Sequence, residues 1–125
     1  MAAERRPRLD IIQGTAFDLP YLDGYFDLVF TTWVLTHIDP EDLPPVLDGI
    51  HRCARRYIWG CEPYRDSPVP VEPVRGREYL WRGDFKRLYL ERFPDLSLVK
   101  AREYSWDLPS RHPSRVEMFL LEKKE

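Results

Sequence analysis

Residues 26–38, Phe-Asp-Leu-Val-Phe-Thr-Thr-Trp-Val-Leu-Thr-His-Ile, constrain the fold of this chain more than any other stretch. Phe26 to Phe30 is almost continuously apolar, rich in strand-forming side chains and preceded by the turn former Asp23-Gly24. Such a run predicts a strand buried on both faces, and strands of that kind belong to parallel sheets covered by helices. Asp27, inside the run, then reads as a buried carboxylate that must find backbone amides in a neighbouring loop. Small polar residues follow at Thr31 and Thr32, and a helix start is signalled at Asp39. The order strand, loop, helix places residues 31–38 at the carboxyl edge of a sheet, where open α/β folds hold their ligands.

The other elements fall in order around that stretch. Leu9 to Gln13 predicts a short strand, broken by Gly14. Asp39, Pro40, Glu41 and Asp42 combine a capping carboxylate, a first-turn proline and acids at the positive end of a helix. Pro44 and Pro45 put the start of the helix proper between Asp42 and Pro45, with Leu43, Val46, Leu47, Ile50 and Ala54 on one buried face. Arg52, Arg55 and Arg56 suit its carboxyl end. Tyr57 to Cys61 reads as the next strand. Proline at 68, 70 and 73 makes Arg65 to Arg77 an extended, lid-like loop. Asp84 caps a second helix with Phe85, Leu88, Tyr89 and Phe93 on one face, stopped before Pro94. Leu96 to Trp106 and Val116 to Leu121 close the chain as two strands whose short connection requires antiparallel pairing.

With 125 residues the chain makes one domain, burying roughly two thirds of its unfolded surface. A formal charge of −2 gives no electrostatic reason for nucleic acid or an acidic membrane as partner. No apolar run approaches the roughly 18 residues of a membrane span, and Met1 to Asp10 lacks a signal-like apolar core; the expected location is cytoplasmic. Cys53 and Cys61 fit no metal spacing and read as reduced thiols. His37, His51 and His112 are too scattered for a metal site.

Several residues carry chemistry by position alone. His37 has the intrinsic pKa of a base and stands at the expected ligand edge, or else pads the following helix. Glu62 and Tyr64, after the second strand, stand on the substrate side, where a carboxylate can orient or deprotonate an accepting hydroxyl or amine. Arg75 and Arg77 offer bidentate pairing to a phosphate or carboxylate, or simply solvation of a loop. Asp18 closes an Asx turn before Pro20 on turn chemistry alone.

The segments Gly14-Thr15-Ala16-Phe17-Asp18-Leu19-Pro20, Asp23 to Phe30 and Val34-Leu35-Thr36-His37-Ile38 resemble the middle of a class I S-adenosylmethionine-dependent methyltransferase. Pro40 to Pro44, Arg56-Tyr57-Ile58, Arg82 to Phe85 and Phe93 to Leu96 extend the likeness toward the methylases associated with pseudaminic acid biosynthesis. It runs from Leu9 to Glu122 and corresponds to the later part of such an enzyme. The resemblance implies S-adenosylmethionine as cofactor, with backbone of Ala16 and Phe17 against the adenine and Asp18 accepting from its amine. It also implies that backbone at Thr31 and Thr32 lies against the methionine moiety, with Trp33 walling the pocket or sitting in the core. The implied fold is a truncated Rossmann-like α/β domain, a mixed sheet of about five strands with an antiparallel carboxyl-terminal pair.

Two parts of that family's site are not found in this sequence: the glycine-rich strand-loop-helix and the acid on the strand after it. The 6 glycines stand at 14, 24, 49, 60, 76 and 83, too dispersed for a glycine-rich turn. The first strand then needs another partner: the central strand, a homodimer or complementing chain at the exposed sheet edge, or further polypeptide. Two functions follow. One is methyl transfer to a hydroxyl or amine of a small-molecule substrate such as a sugar precursor; the other is a non-catalytic, methyltransferase-like module that binds a ligand or partner.

Overall fold

The computed structural model describes residues 8–66, 71–74, 77–105 and 115–124. Four strands form one mixed sheet in the order β1-β2-β6-β5, with β1 at Phe26–Thr32, β2 at Ala54–Pro63, β5 at Leu96–Ser105 and β6 at Arg115–Lys123. β1 and β2 run parallel, joined by helix α1, Leu43–Cys53; β6 lies antiparallel to both β2 and β5. A separate ribbon pairs β3, Val71–Val74, with β4, Arg77–Gly83, and helix α2, Phe85–Arg92, follows it. The architecture is the expected α/β class, with four strands in the main sheet where about five were expected.

The helices form where the sequence provides for them. The Asp39 side chain accepts from Glu41 N at 2.9 Å and starts a 3-10 turn, Pro40–Asp42, that leads into α1. Leu43, Val46, Leu47 and Ile50 are buried along one stripe, whereas Ala54, expected on the same helix, is already the first residue of β2. Asp84 caps α2 by accepting from Arg87 N at 3.3 Å, and Phe85 and Tyr89 are buried beneath it. The two helices share one core with the sheet residues Ile58, Phe119 and Leu121.

Three expectations are corrected. Leu9 to Gln13 is not a strand: the segment has no ladder partner among the described residues, and Leu9 and Ile11 are exposed. β1 stands at the edge of the sheet, so its strand-forming residues are not buried on both faces; Leu28 and Phe30 are 46% and 63% exposed. Asp27 accordingly lies in solvent, paired with Arg55 rather than with loop amides. Arg65 to Arg77 is not wholly a loop, because Val71–Val74 pairs with β4 despite Pro73. A two-stranded ribbon consists only of edges, where a missing amide donor is tolerated.

The segment before β1 is strapped to the carboxyl end of α1. The Arg52 guanidinium donates to Leu19 O at 2.8 Å, Tyr21 O at 2.6 Å and Asp23 Oδ1 at 2.9 Å, and Gly24 N donates to Arg52 O. Arg52 thus does more than complement the helix dipole.

Gly60 in β2 is fixed by close approach: a Cβ there would lie 2.2 Å from the Phe119 ring. Gly60→Ala is therefore expected to cost about 1–3 kcal/mol by overpacking, measured by urea denaturation, with partial recovery when Phe119→Leu is added. A loss below about 0.5 kcal/mol would show that the ring moves aside freely.

Candidate active-site edge

At the carboxyl ends of β1 and β2 the chain makes one concerted arrangement around Glu62. Its carboxylate is 1% exposed. Oε2 accepts from Thr31 Oγ1 at 3.3 Å, Val34 N at 3.4 Å and Leu35 N at 3.3 Å, while Oε1 accepts from Thr36 N at 3.1 Å. These amides open a 3-10 turn, Leu35–His37, whose first N–H groups have no partner within the turn. Glu62 supplies those partners from the neighbouring strand.

The bend that brings the amides round is made at Trp33. Its φ of 55° is left-handed, a conformation that costs a non-glycine residue roughly 1–2 kcal/mol. Trp33 N donates to Cys61 O at 2.9 Å, so the strained residue is held to β2 from one side while its successors are held to Glu62 from the other. The Thr36 hydroxyl then donates to Trp81 O at 2.6 Å and ties the turn to β4. The β3–β4 ribbon thus flanks this edge.

Burial pushes the Glu62 carboxyl up to about 7, against the pull of the amides of Thr36, Leu35 and Val34 and the Thr31 hydroxyl. Glu62 was expected as a base. A base needs a free lone pair turned toward substrate; here both oxygens are engaged and shielded from water. The geometry makes Glu62 the residue that shapes the loop.

The other expected residues are distributed as follows. Thr31 and Thr32 end β1 beside Gly60 and Cys61 of β2, and Trp33 follows them half-buried. His37 closes the 3-10 turn and is exposed at the same edge. Ala16, Phe17 and Asp18 form a separate turn, with Phe17 N on Thr15 Oγ1 and Asp18 N on Thr15 O; Phe17 and Asp18 are exposed, and none of the groups bonded to Glu62 comes from this turn. Arg77 begins β4 opposite Val74, and Arg75 lies outside the described residues.

Tyr64 lies just past β2, between two cations: Lys86 Nζ is 5.2 Å and the Arg115 guanidinium 5.1 Å from its ring centre. Lys86 also donates to Asp84 at 2.8 Å and to Glu117 at 3.1 Å. Burial raises the Glu117 carboxyl above its ordinary range, with Lys86 opposing. Sequence reasoning missed this cluster. Its signal was a lone acid, Glu117, within the apolar Val116 to Leu121 run, and it pairs in register with Glu62.

A folded-state Glu62 pKa of about 7, above the ordinary glutamate value of 4.5, means that the native state holds the proton more tightly than the unfolded chain. This contribution to stability is complete below pH 4.5 and is lost as the pH rises through about 7. The expected loss is on the order of 3 kcal/mol from pH 4.5 to 8, read as the difference between the parent and Glu62→Gln in urea unfolding at each pH. Parallel pH profiles for the two proteins would refute it.

Comparison with known proteins gives a concordant picture. Residues 1–57 match the family described as a methyltransferase domain. An uncharacterized methyltransferase of Synechocystis sp. is 41% identical over 46 residues, which are 37% of this chain and 22% of that protein. The chain therefore spans well under two thirds of the curated relative it matches. Among solved structures, a SAM-dependent methyltransferase of Methanosarcina mazei superposes with a TM-score of 0.65 at 14% identity, over 98% of this chain and 74% of that one. The 1,6-didemethyltoxoflavin-N1-methyltransferase of Burkholderia thailandensis, solved with S-adenosylhomocysteine bound, gives 0.66 at 14% identity over 91% and 50%. A Leishmania major SAM-dependent methyltransferase gives 0.62 at 18% identity over 86% and 43%. The chain has the α/β fold seen in these methyltransferase structures, and its residues 1–57 match the methyltransferase-domain family in sequence.

Proposed function

We propose that this chain is the acceptor side of an S-adenosylmethionine-dependent methyltransferase that methylates a hydroxyl or amine of a small molecule. The observation that carries the reading is the loop after β1, bent at Trp33 and fixed by Glu62 at the edge where α/β folds bind ligands. The Burkholderia structure with bound S-adenosylhomocysteine supports the choice of cofactor. The resemblance to methylases of pseudaminic acid biosynthesis favours a nonulosonic acid precursor as the acceptor.

The residues in hand fit half of such a ligand. Exposed Asp18 provides an acceptor for the adenine amine, and backbone at Thr31 to Trp33 provides a surface for the methionine moiety. The bound cofactor would supply an electrophilic sulfonium methyl. Among the described residues there is no glycine-rich strand-loop-helix to approach its ribose and carboxylate. We assign that part to a strand and helix docked at the free edge of β1, in further polypeptide or a second chain. In this reading His37, exposed at the edge, accepts a proton from the acceptor, and Tyr64 contacts it.

The free β1 edge and the exposed Leu28 and Phe30 also support a second reading, a non-catalytic module that pairs through this edge. Titration calorimetry of the chain with S-adenosylhomocysteine separates the two. Half of a micromolar binding energy corresponds to a Kd on the order of 1 mM, and this weak binding is expected to vanish in Asp18→Ala. No heat at about 10 mM ligand would favour the non-catalytic module, whereas micromolar binding would show that the pocket needs no complement.

A further inference from the structure

Two buried glutamates stand opposite each other where β2 pairs with β6, and only one of them has a cation. Glu117 accepts from Lys86 Nζ at 3.1 Å. Glu62 accepts from one hydroxyl and three backbone amides, all uncharged, and no lysine, arginine or histidine among the described residues pairs with it. Buried carboxylates are ordinarily paired with a cation, because dipoles alone seldom offset the loss of water around a full charge. The surrounding groups do not supply one. Cys61 on the same strand and Tyr89 on α2 are neutral, and Glu62 opposes the ionisation of both. Lys86 is shared between Asp84 and Glu117, Arg115 of β6 goes to Glu103, and Arg82 of β4 goes to Glu72. His37, at the far end of the turn, is exposed.

The hydrogen bonds nevertheless suit the ionised form, since a carboxylate only accepts and all four partners donate. Three of those donors are amides, which cannot turn round; the Thr31 hydroxyl can. A protonated Glu62 therefore donates its O–H to Thr31 Oγ1, and in the ionised form the same pair, 3.3 Å apart, runs the other way. Burial works against the charge and pushes the carboxyl up to about 7, so the two forms are balanced near neutrality. A positive charge at the carboxyl edge, beyond Thr31 and the turn, tips that balance. At an effective dielectric between those of water and of the interior, a unit charge about 8 Å away changes an ionisation constant roughly tenfold.

From these observations we propose that Glu62 is the buried counter-charge of a cationic ligand at this edge, and that through it the site prefers the sulfonium of S-adenosylmethionine to the uncharged thioether of S-adenosylhomocysteine. The inference rests on the cofactor reading above and adds to it a positioning residue that sets specificity without touching the ligand. Glu62 acts through the Thr31 hydroxyl and the turn amides. Binding of the sulfonium drives its proton into the buffer; binding of the thioether does not. The effect is reciprocal, so the ligand that lowers the proton affinity of Glu62 is itself bound more tightly as Glu62 ionises.

The experiment follows the 13C-labelled Glu62 carboxyl by NMR from about pH 5 to 8.5, first alone and then with about 10 mM of either compound, as weak binding requires. S-adenosylmethionine is expected to move the midpoint down by about one pH unit, and S-adenosylhomocysteine to leave it in place. In parallel, the affinity for S-adenosylmethionine should rise about fivefold from about pH 5.5 to 7.5. Glu62→Gln, whose amide still donates to Thr31 Oγ1, should abolish that rise, which separates it from any contribution of the exposed His37. The carboxyl titration uses the parent chain, so it decides the matter even where Glu62→Gln unfolds. A midpoint that responds alike to both compounds, or a rise that persists in Glu62→Gln, overturns the inference and leaves the cofactor reading standing. No saturable binding of either compound at about 10 mM overturns both.

Discussion

The carboxyl edge of this domain depends on one buried carboxylate meeting four donors. Glu62, at the end of β2, accepts from the Thr31 hydroxyl and from the amides of Val34, Leu35 and Thr36. Those amides begin a 3-10 turn and would otherwise be buried without partners, at a cost comparable to a lost hydrogen bond each. The strained Trp33 backbone is tolerated because its neighbours on both sides are held. Glu62 joins the two parallel strands where backbone pairing ends and gives the loop after β1 one conformation. The conflict between burial and bonding that raises its proton affinity follows from the same arrangement.

The sheet is built asymmetrically. α1 and α2 cover one face with a continuous apolar core, while the other face presents Leu28, Phe30, Trp59 and Leu120 between a free edge at β1 and a basic rim on β5. The exposed apolar positions of β1 and those of residues 9–12 belong to one end of the molecule in sequence. The strand-like composition of Phe26 to Phe30 suits a setting with neighbours on both sides, and among the described residues β1 pairs with β2 alone. The likeness to methyltransferases that are longer than this chain is consistent with that reading.

The polar clusters at the carboxyl edge divide the work between holding and presenting. Glu62 and Thr36 are buried and join β1, β2 and β4, whereas His37 is exposed. Tyr64 lies between, its ring flanked by Lys86 and Arg115, with Lys86 anchored by Asp84 and Glu117. Glu62 therefore shapes the loop from within, and His37 is left accessible at its surface.

The sequence by itself determined what depends on local pattern. The caps at Asp39 and Asp84, the buried stripe of α1, the parallel entry of β1 and the antiparallel closing pair all follow from periodicity, capping chemistry and connection length. Tertiary structure alone decided whatever depends on a neighbour. Leu9 to Gln13 has strand composition but no strand to pair with among the described residues. Phe26 to Phe30 reads as buried but forms an edge, and Pro73 reads as a breaker but is accommodated in a ribbon. Glu62 and Glu117, 55 residues apart in sequence, stand opposite each other only because β6 pairs with β2. The role of Glu62 was hidden for the same reason: its donors lie 26 to 31 residues away, and no local signal states which amides a carboxylate will find once the strands are side by side.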